Sequence, residues 1–256
     1  MSNEHDKYDK QDKHDKQDKM FEICNLNKMN MPSDLEYKSF NDFIFSKDLK
    51  LVGKLLHRFE HFLNIKDLPG DIIEIGSFKG SGLATFLKFV EIYAPRSNKK
   101  VIGFDIFNPK ESNVVLNKDT ILDKDSMNVV YSKVQSNELT EESVSNRLKE
   151  ISDKFILVSG DVQESLPKFL EKRPGLRVSM LYIDVDLERP TYFALKYLWP
   201  RMLTGSVIIF DEFEYHHFSE SNGFDKFMSE LDQYQKSKIN LQSTNWVAPT
   251  AYFYKE

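Results

Sequence analysis

The segment DIIEIGSFKGSG at residues 71–82 constrains the fold more than any other stretch of the chain. An apolar run (Ile72, Ile73, Ile75) ends at Gly76, turns through Gly80 and Gly82, and leads into a helical pattern from about residue 83. A buried strand feeding a glycine-rich turn and a helix N-terminus is the ligand-holding unit of a doubly wound α/β sheet. Glycine lets the backbone approach the ligand, and the unpaired N–H groups of the first helical turn point at its polar end. The spacing is G-x-x-x-G-x-G, with Glu74 two residues ahead of the first glycine. It differs from the G-x-G-x-x-G of dinucleotide folds, which favours S-adenosylmethionine over NAD.

Strand and helix signals alternate beyond this turn. Apolar runs predict strands over residues 101–105, 155–159, 178–184 and 206–211, and helices over residues 83–93, 162–172, 191–199 and 223–236. Continuous apolar strands separated by helices indicate an α/β fold with a parallel sheet covered on both faces. Residues 238–243 and 250–254 read as a last pair of strands, and their short connection requires antiparallel pairing. Ahead of the glycine turn, Leu49, Val52, Leu55, Leu56, Phe59, Phe62 and Leu63 recur at three and four residues. The spacing predicts a helix over residues 48–63 with that stripe on the core and with His57 and His61 exposed. Residues 108–151 are polar and loop-rich, then helical from 138 to 150, a length that suits a lid or insertion.

Residues 1–30 read as a low-complexity tail, with five successive triplets (HDK, YDK, QDK, HDK, QDK) between His5 and Lys19. Such a segment has too little apolar surface to offset its chain entropy, so disorder is expected there, and His5 and His14 belong to a solvated repeat. Residues 31–256 are then one domain. A net charge of −5 gives no support to a nucleic-acid groove or an anionic membrane surface. No apolar run approaches the ~20 residues of a membrane helix, and no signal-peptide pattern is present. Cys24 is the sole cysteine, which excludes an intramolecular disulfide and suits a reducing, cytoplasmic setting.

Several residues carry candidate chemistry. Asp105 ends the second strand, where a carboxylate can accept both hydroxyls of an adenosine ribose. Asp161 follows the third strand and can accept from an adenine amino group, with Val162 against the ring; it can equally cap the helix that starts there. Asp184 and Asp186 end the fourth strand, and Asp211 and Glu212 the fifth. Carboxylates gathered at the strand ends of one crevice need a cation, a proton or basic partners. Oxygen ligands suit Mg²⁺, Ca²⁺ or Mn²⁺; the other reading makes these acids helix caps or partners of Arg189 and Arg201. His216 and His217 stand in the following loop, as pocket residues, as a base or as surface.

Taken in series, EIGSFKGSG (74–82), GFDIF (103–107), GDVQESLP (160–167), IDVDLERPT (183–191) and LWPRMLTGSVIIFDEF (198–213) resemble the macrocin O-methyltransferase family. Its members are magnesium-dependent S-adenosylmethionine enzymes that methylate sugar hydroxyls in natural-product pathways. The resemblance implies a Rossmann-like seven-stranded methyltransferase sheet with an antiparallel last strand and helices on both faces. It also implies Mg²⁺ held by Asp184, Asp211 and Glu212, a general base at Asp186, and cofactor contacts from Glu74, Gly76, Ser77, Phe78, Ser81, Asp105, Asp161, Val162 and Asp184. A small hydroxylated, sugar-like substrate and a homo-oligomer are expected, without nucleic acid or membrane partners. Glu212 stands where the family usually has aspartate, and Glu188 where it commonly has tyrosine. A metal-independent small-molecule methyltransferase and a non-catalytic cofactor-binding subunit are the alternative readings.

Overall fold

The computed structural model describes residues 34–107, 120–246 and 248–256, so the repeat tail lies outside the described residues. The chain divides into two compact units between Leu49 and Lys50. In the first, helix α1 (Asp34–Ile44) buries none of its residues and exposes Leu35, Tyr37 and Phe40.

The second unit is built on seven strands: β1 (Asp71–Ile75), β2 (Val101–Asp105), β3 (Phe155–Ser159), β4 (Val178–Ile183), β5 (Met202–Phe210), β6 (Gln242–Ser243) and β7 (Ala251–Tyr254). They lie side by side in the order β3-β2-β1-β4-β5-β7-β6. β1 to β5 pair in parallel, and β7 runs antiparallel to both β5 and β6. This is the seven-stranded α/β sheet with an antiparallel last strand that the sequence predicts. The winding reverses beside β1, which is flanked by β2 on one side and β4 on the other. A crevice therefore opens at the carboxyl ends of β1 and β4.

Alternation along the strands splits the core into two layers. Ile73, Ile75, Phe104 and Ile183 pack on one face against α6 (Val162–Glu171), α7 (Glu188–Leu198) and α8 (Glu220–Glu230). Ile72, Met180 and Tyr182 pack on the other against α2 (Leu49–Ile65) and α3 (Ser81–Tyr93). Among the described residues no helix is long and apolar enough to cross a membrane.

Three expectations change. The helix predicted over residues 223–236 is two: α8 ends at Glu230, and α9 (Gln233–Lys236) restarts after Asp232, whose side chain accepts from Gln235 N in a capping box. The insertion holds a helix that apolar periodicity misses, α4 (Ile121–Ser132), capped by Thr120 and Asp123; α5 (Glu141–Lys149) follows it. The packed face of α2 also differs. Leu56 and Leu63 are exposed, whereas Arg58 and His61 are buried. His61 Nδ1 lies 2.9 Å from the Tyr254 hydroxyl, and its ring is 4.4 Å from that of Tyr252. Burial, helped by His57, pushes His61 down to about 4, so it is a neutral core side chain.

Candidate active site

The strand ends border a cavity of about 370 Å³, and every sequence-predicted site residue except Asp211 lines it. Met127, Val130 and Tyr131 of α4 line it as well. Two hydrogen bonds hold α4 to the loop after β5: Ser219 Oγ donates to Asp123 (2.6 Å), and Ser126 Oγ donates to the His217 carbonyl (3.1 Å). His216 and His217 themselves border a separate recess with Tyr215 and Trp246.

The glycine turn is fixed by close approach. Gly76 has φ +89°, and a Cβ there would sit 1.9 Å from the Asp184 carbonyl oxygen. Gly76→Ala should therefore lower stability by about 1–3 kcal/mol from the backbone alone, more if β4 cannot shift. Thermal unfolding checks this, and a wild-type midpoint would contradict it. A Cβ on Gly82 would meet Glu74 Oε1 at 1.7 Å, so glycine there leaves room for the Glu74 carboxyl. No side chain caps α3, which leaves its first N–H groups facing the cavity lined by Ser81 and Gly82.

Asp105 accepts hydrogen bonds from Phe78 N (2.7 Å) and Phe107 N (3.2 Å). Phe78, Phe107 and Asp186 have positive φ (47°, 45° and 63°), so three strand ends meet the cavity through uncommon backbone. Asp161 caps α6 by accepting from Gln163 N and pairs with Arg189 at 2.9 Å. Arg201 instead donates to the Pro174 carbonyl.

The acidic cluster has partners that the sequence did not disclose. Asp184, Asp186 and Glu212 each offer an oxygen within 4.8 Å of the others. The Asp211 carboxylate accepts from the Tyr182 hydroxyl on Oδ1 and from Lys54 Nζ on Oδ2 (2.6 Å). Lys54 also donates to Asp184 (3.1 Å). Arg58 lies 3.6 Å from Glu74 and 3.8 Å from Asp184, with its guanidinium over the Tyr182 ring. Lys54, Arg58 and His61 recur at four and three residues, a polar helical stripe that could have marked this face. Glu220, fully buried, accepts from Glu212 N (2.8 Å) through Oε2, while its Oε1 and Glu212 Oε2 have no hydrogen-bond partner among the described residues.

Burial and the charges of neighbouring carboxylates raise Asp184, Asp186, Glu212, Glu74 and Glu220. Burial first, then the charges of Asp184 and Asp211, push Asp186 up to about 7. Burial, with Asp211, Asp186 and Asp184, pushes Glu212 up to about 8. Burial outweighs Arg58 and holds Glu74 at about 8. Burial works against the Lys54 charge, yet Asp184 and Asp211 more than offset it and raise the lysine.

The sign for stability follows from the carboxyl shifts. Carboxyls raised from about 4 to 7–8 bind more protons in the folded chain, so between those limits their contribution falls as pH rises, by at most about 1.4 kcal/mol per pH unit for one group. The ion-free protein should lose thermal stability between pH 5 and pH 8, and Glu212→Gln should flatten that decline. Identical pH profiles for wild type and variant would remove Glu212 as a contributor.

A cavity at the switch point of a seven-stranded sheet with a reversed β7 is the arrangement of the α/β methyltransferase fold. More narrowly, the chain belongs to the macrocin-O-methyltransferase (TylF) family, which matches residues 51–253. Among solved structures, the calicheamicin methyltransferase CalS11 is 24% identical, with 88% of this chain and 87% of that one covered and a TM-score of 0.64. An apo structure of CalS11, described as a TDP-rhamnose 3′-O-methyltransferase, is 24% identical over 88% of each chain, with a TM-score of 0.62. The O-methyltransferase NovP is 16% identical over 81% of this chain and 79% of that one, with a TM-score of 0.60. These structures share the fold. No curated protein matches the chain in sequence.

Proposed function

We propose that the protein methylates a hydroxyl of a sugar or small polyol intermediate of a natural product, in a reducing, cytoplasmic compartment, with S-adenosylmethionine as donor and a divalent ion such as Mg²⁺ as aid. The observation that carries this reading is the meeting of Asp184, Asp186 and Glu212 in the cavity that Asp105 and the glycine turn also line. An orphaned buried oxygen on Glu212 and oxygen-only donors fit a hard cation. Asp184, Glu212 and Asp211 would hold the ion. Ser77, Phe78, Ser81 and the first turn of α3, with Glu74 and Gly76 behind them, would meet the amino-acid end of the cofactor, Asp105 its ribose, and Asp161 and Val162 its adenine.

The cofactor supplies an electrophilic methyl group, and the ion supplies positive charge for an acceptor oxygen. The chain's own share is positioning and proton removal. Asp186, held near neutrality, accepts the hydroxyl proton as that oxygen becomes nucleophilic. Met127, Val130 and Tyr131 exclude water from the cofactor side.

The test is incubation with S-adenosylmethionine, Mg²⁺ and a panel of free and nucleotide-linked sugars, read by mass spectrometry for O-methylated product. No S-adenosylhomocysteine binding and no methylated product would overturn the reading. Lys54 inside the acidic cluster favours a second one, a metal-independent transferase, and full activity in chelator would select it. A homo-oligomer is part of the proposal: Leu56 and Leu63 are exposed on the stripe of α2 that carries Phe59, and Phe59 packs against the half-exposed Tyr93. Sedimentation of a monomer would remove it.

A further inference from the structure

We propose that Lys54 is a tethered counter-cation of the acidic cluster, bridging Asp184 and Asp211 until a divalent ion takes its place. The inference rests on the metal-assisted reading above and deepens it. It starts from an imbalance. Asp184, Asp186, Asp211 and Glu212 converge on the strand ends; Lys50 bears on Asp186, and two further cations, Lys54 and Arg58, lie against Asp184.

Lys54 and Arg58 are built differently. Arg58 is pinned: its side chain is 7% exposed, its guanidinium is 4.7 Å from the Tyr182 ring centre, and Glu74 flanks it. Lys54 keeps 23% of its side chain exposed, so it has a way out, and its four-carbon stem can swing. Its ammonium donates to one oxygen each of Asp184 and Asp211, at 3.1 and 2.6 Å. The other Asp211 oxygen is taken by the Tyr182 hydroxyl. Asp211 therefore has both oxygens engaged while Lys54 is in place. The remaining trio, Asp184, Asp186 and Glu212, shares Asp184 with it.

A divalent ion seated on Asp184 would stand beside this ammonium and repel it. Ion binding and the Lys54 bridge are then mutually exclusive, and each lowers the apparent affinity of the other. The lysine holds Asp184 and Asp211 together and in place for an ion. It also sets a threshold of ion concentration for loading the site, and loading turns its amine outward. Lys54 is here a positioning residue, and it acts through the two aspartates.

The experiment needs neither S-adenosylmethionine nor an acceptor. Mg²⁺ affinity is measured by calorimetry, and Mn²⁺ affinity by its electron paramagnetic signal, in wild type, Lys54→Met and Lys54→Arg. Lys54→Met should bind the ion about tenfold more tightly than wild type, within the usual range of coupling between sites, and Lys54→Arg should stay close to wild type. Binding by Lys54→Met with none by wild type supports the proposal too. Equal or weaker binding by Lys54→Met overturns it and leaves the metal reading standing. No binding by any of the three overturns both. Should Lys54→Met fail to fold, amine labelling of wild type decides: Mg²⁺ should raise modification of Lys54 above that of the other lysines, and an unchanged or lowered yield overturns the proposal.

Discussion

Asp186→Asn is expected to lower kcat by about 10²–10⁴-fold while leaving S-adenosylhomocysteine affinity unchanged. The asparagine keeps the size of the side chain and one acceptor oxygen but cannot take a proton. The magnitude is that of a lost general base, equivalent to roughly 3–5 kcal/mol of barrier. Asp186 suits the role because burial and the neighbouring Asp184 and Asp211 hold it at about 7, where it is both available as carboxylate and basic enough to be useful. The rate should rise with pH as Asp186 ionises in wild type and lose that limb in the variant. Asn also tolerates the left-handed backbone that Asp186 adopts at φ +63°, so the substitution should spare the fold. Calorimetry with S-adenosylhomocysteine and single-turnover kinetics give the two halves of the result. Retained turnover would remove Asp186 as the base, and lost nucleoside binding would make its role structural.

The fold was legible because its information is local. A continuous apolar run such as Ile72–Ile73 or Ile208–Ile209 fits a buried parallel strand, and Gly76, Gly80 and Gly82 mark the turn that follows the first. The position of the acids was legible too, since strand ends in a parallel sheet face one crevice whatever the side chains do. Their partners were not. A helix is read by its apolar stripe, and charged positions are assigned to water, so Lys54 and Arg58 were passed over on α2. Charged positions turn inward where a helix lies across a cluster of carboxylates, because there the cluster offsets the cost of burying cations. Leu56 and Leu63 then fall on the exposed side. Helix α4 escaped for another reason. Its one strong local signal is the Thr120–Asp123 capping pair, while its cavity-lining Met127, Val130 and Tyr131 follow no long apolar period.

Arg58→Met is the second large effect expected: a loss of about 3–5 kcal/mol of folding stability, the usual result of removing one partner from a buried charged group. Methionine fills much of the space between Phe86 and Tyr182, so the loss is one of charge more than of packing. Glu74 is only part of the reason. Burial holds it at about 8 against the pull of Arg58, so at neutral pH it carries a proton for most of the time and Glu74→Gln alone should be mild. The carboxylate left exposed to the loss is Asp184, which would keep Lys54 as its remaining cation. The deficit should therefore widen as pH rises and Glu74 ionises beside a missing guanidinium. Adding Mg²⁺ should recover part of it by neutralising Asp184 directly. Thermal unfolding of wild type, Arg58→Met and Arg58→Met/Glu74→Gln, at pH 6 and pH 8.5 with and without Mg²⁺, separates these contributions. A deficit independent of pH and unmoved by the ion would assign Arg58 to packing against the two rings and leave Asp184 balanced by Lys54.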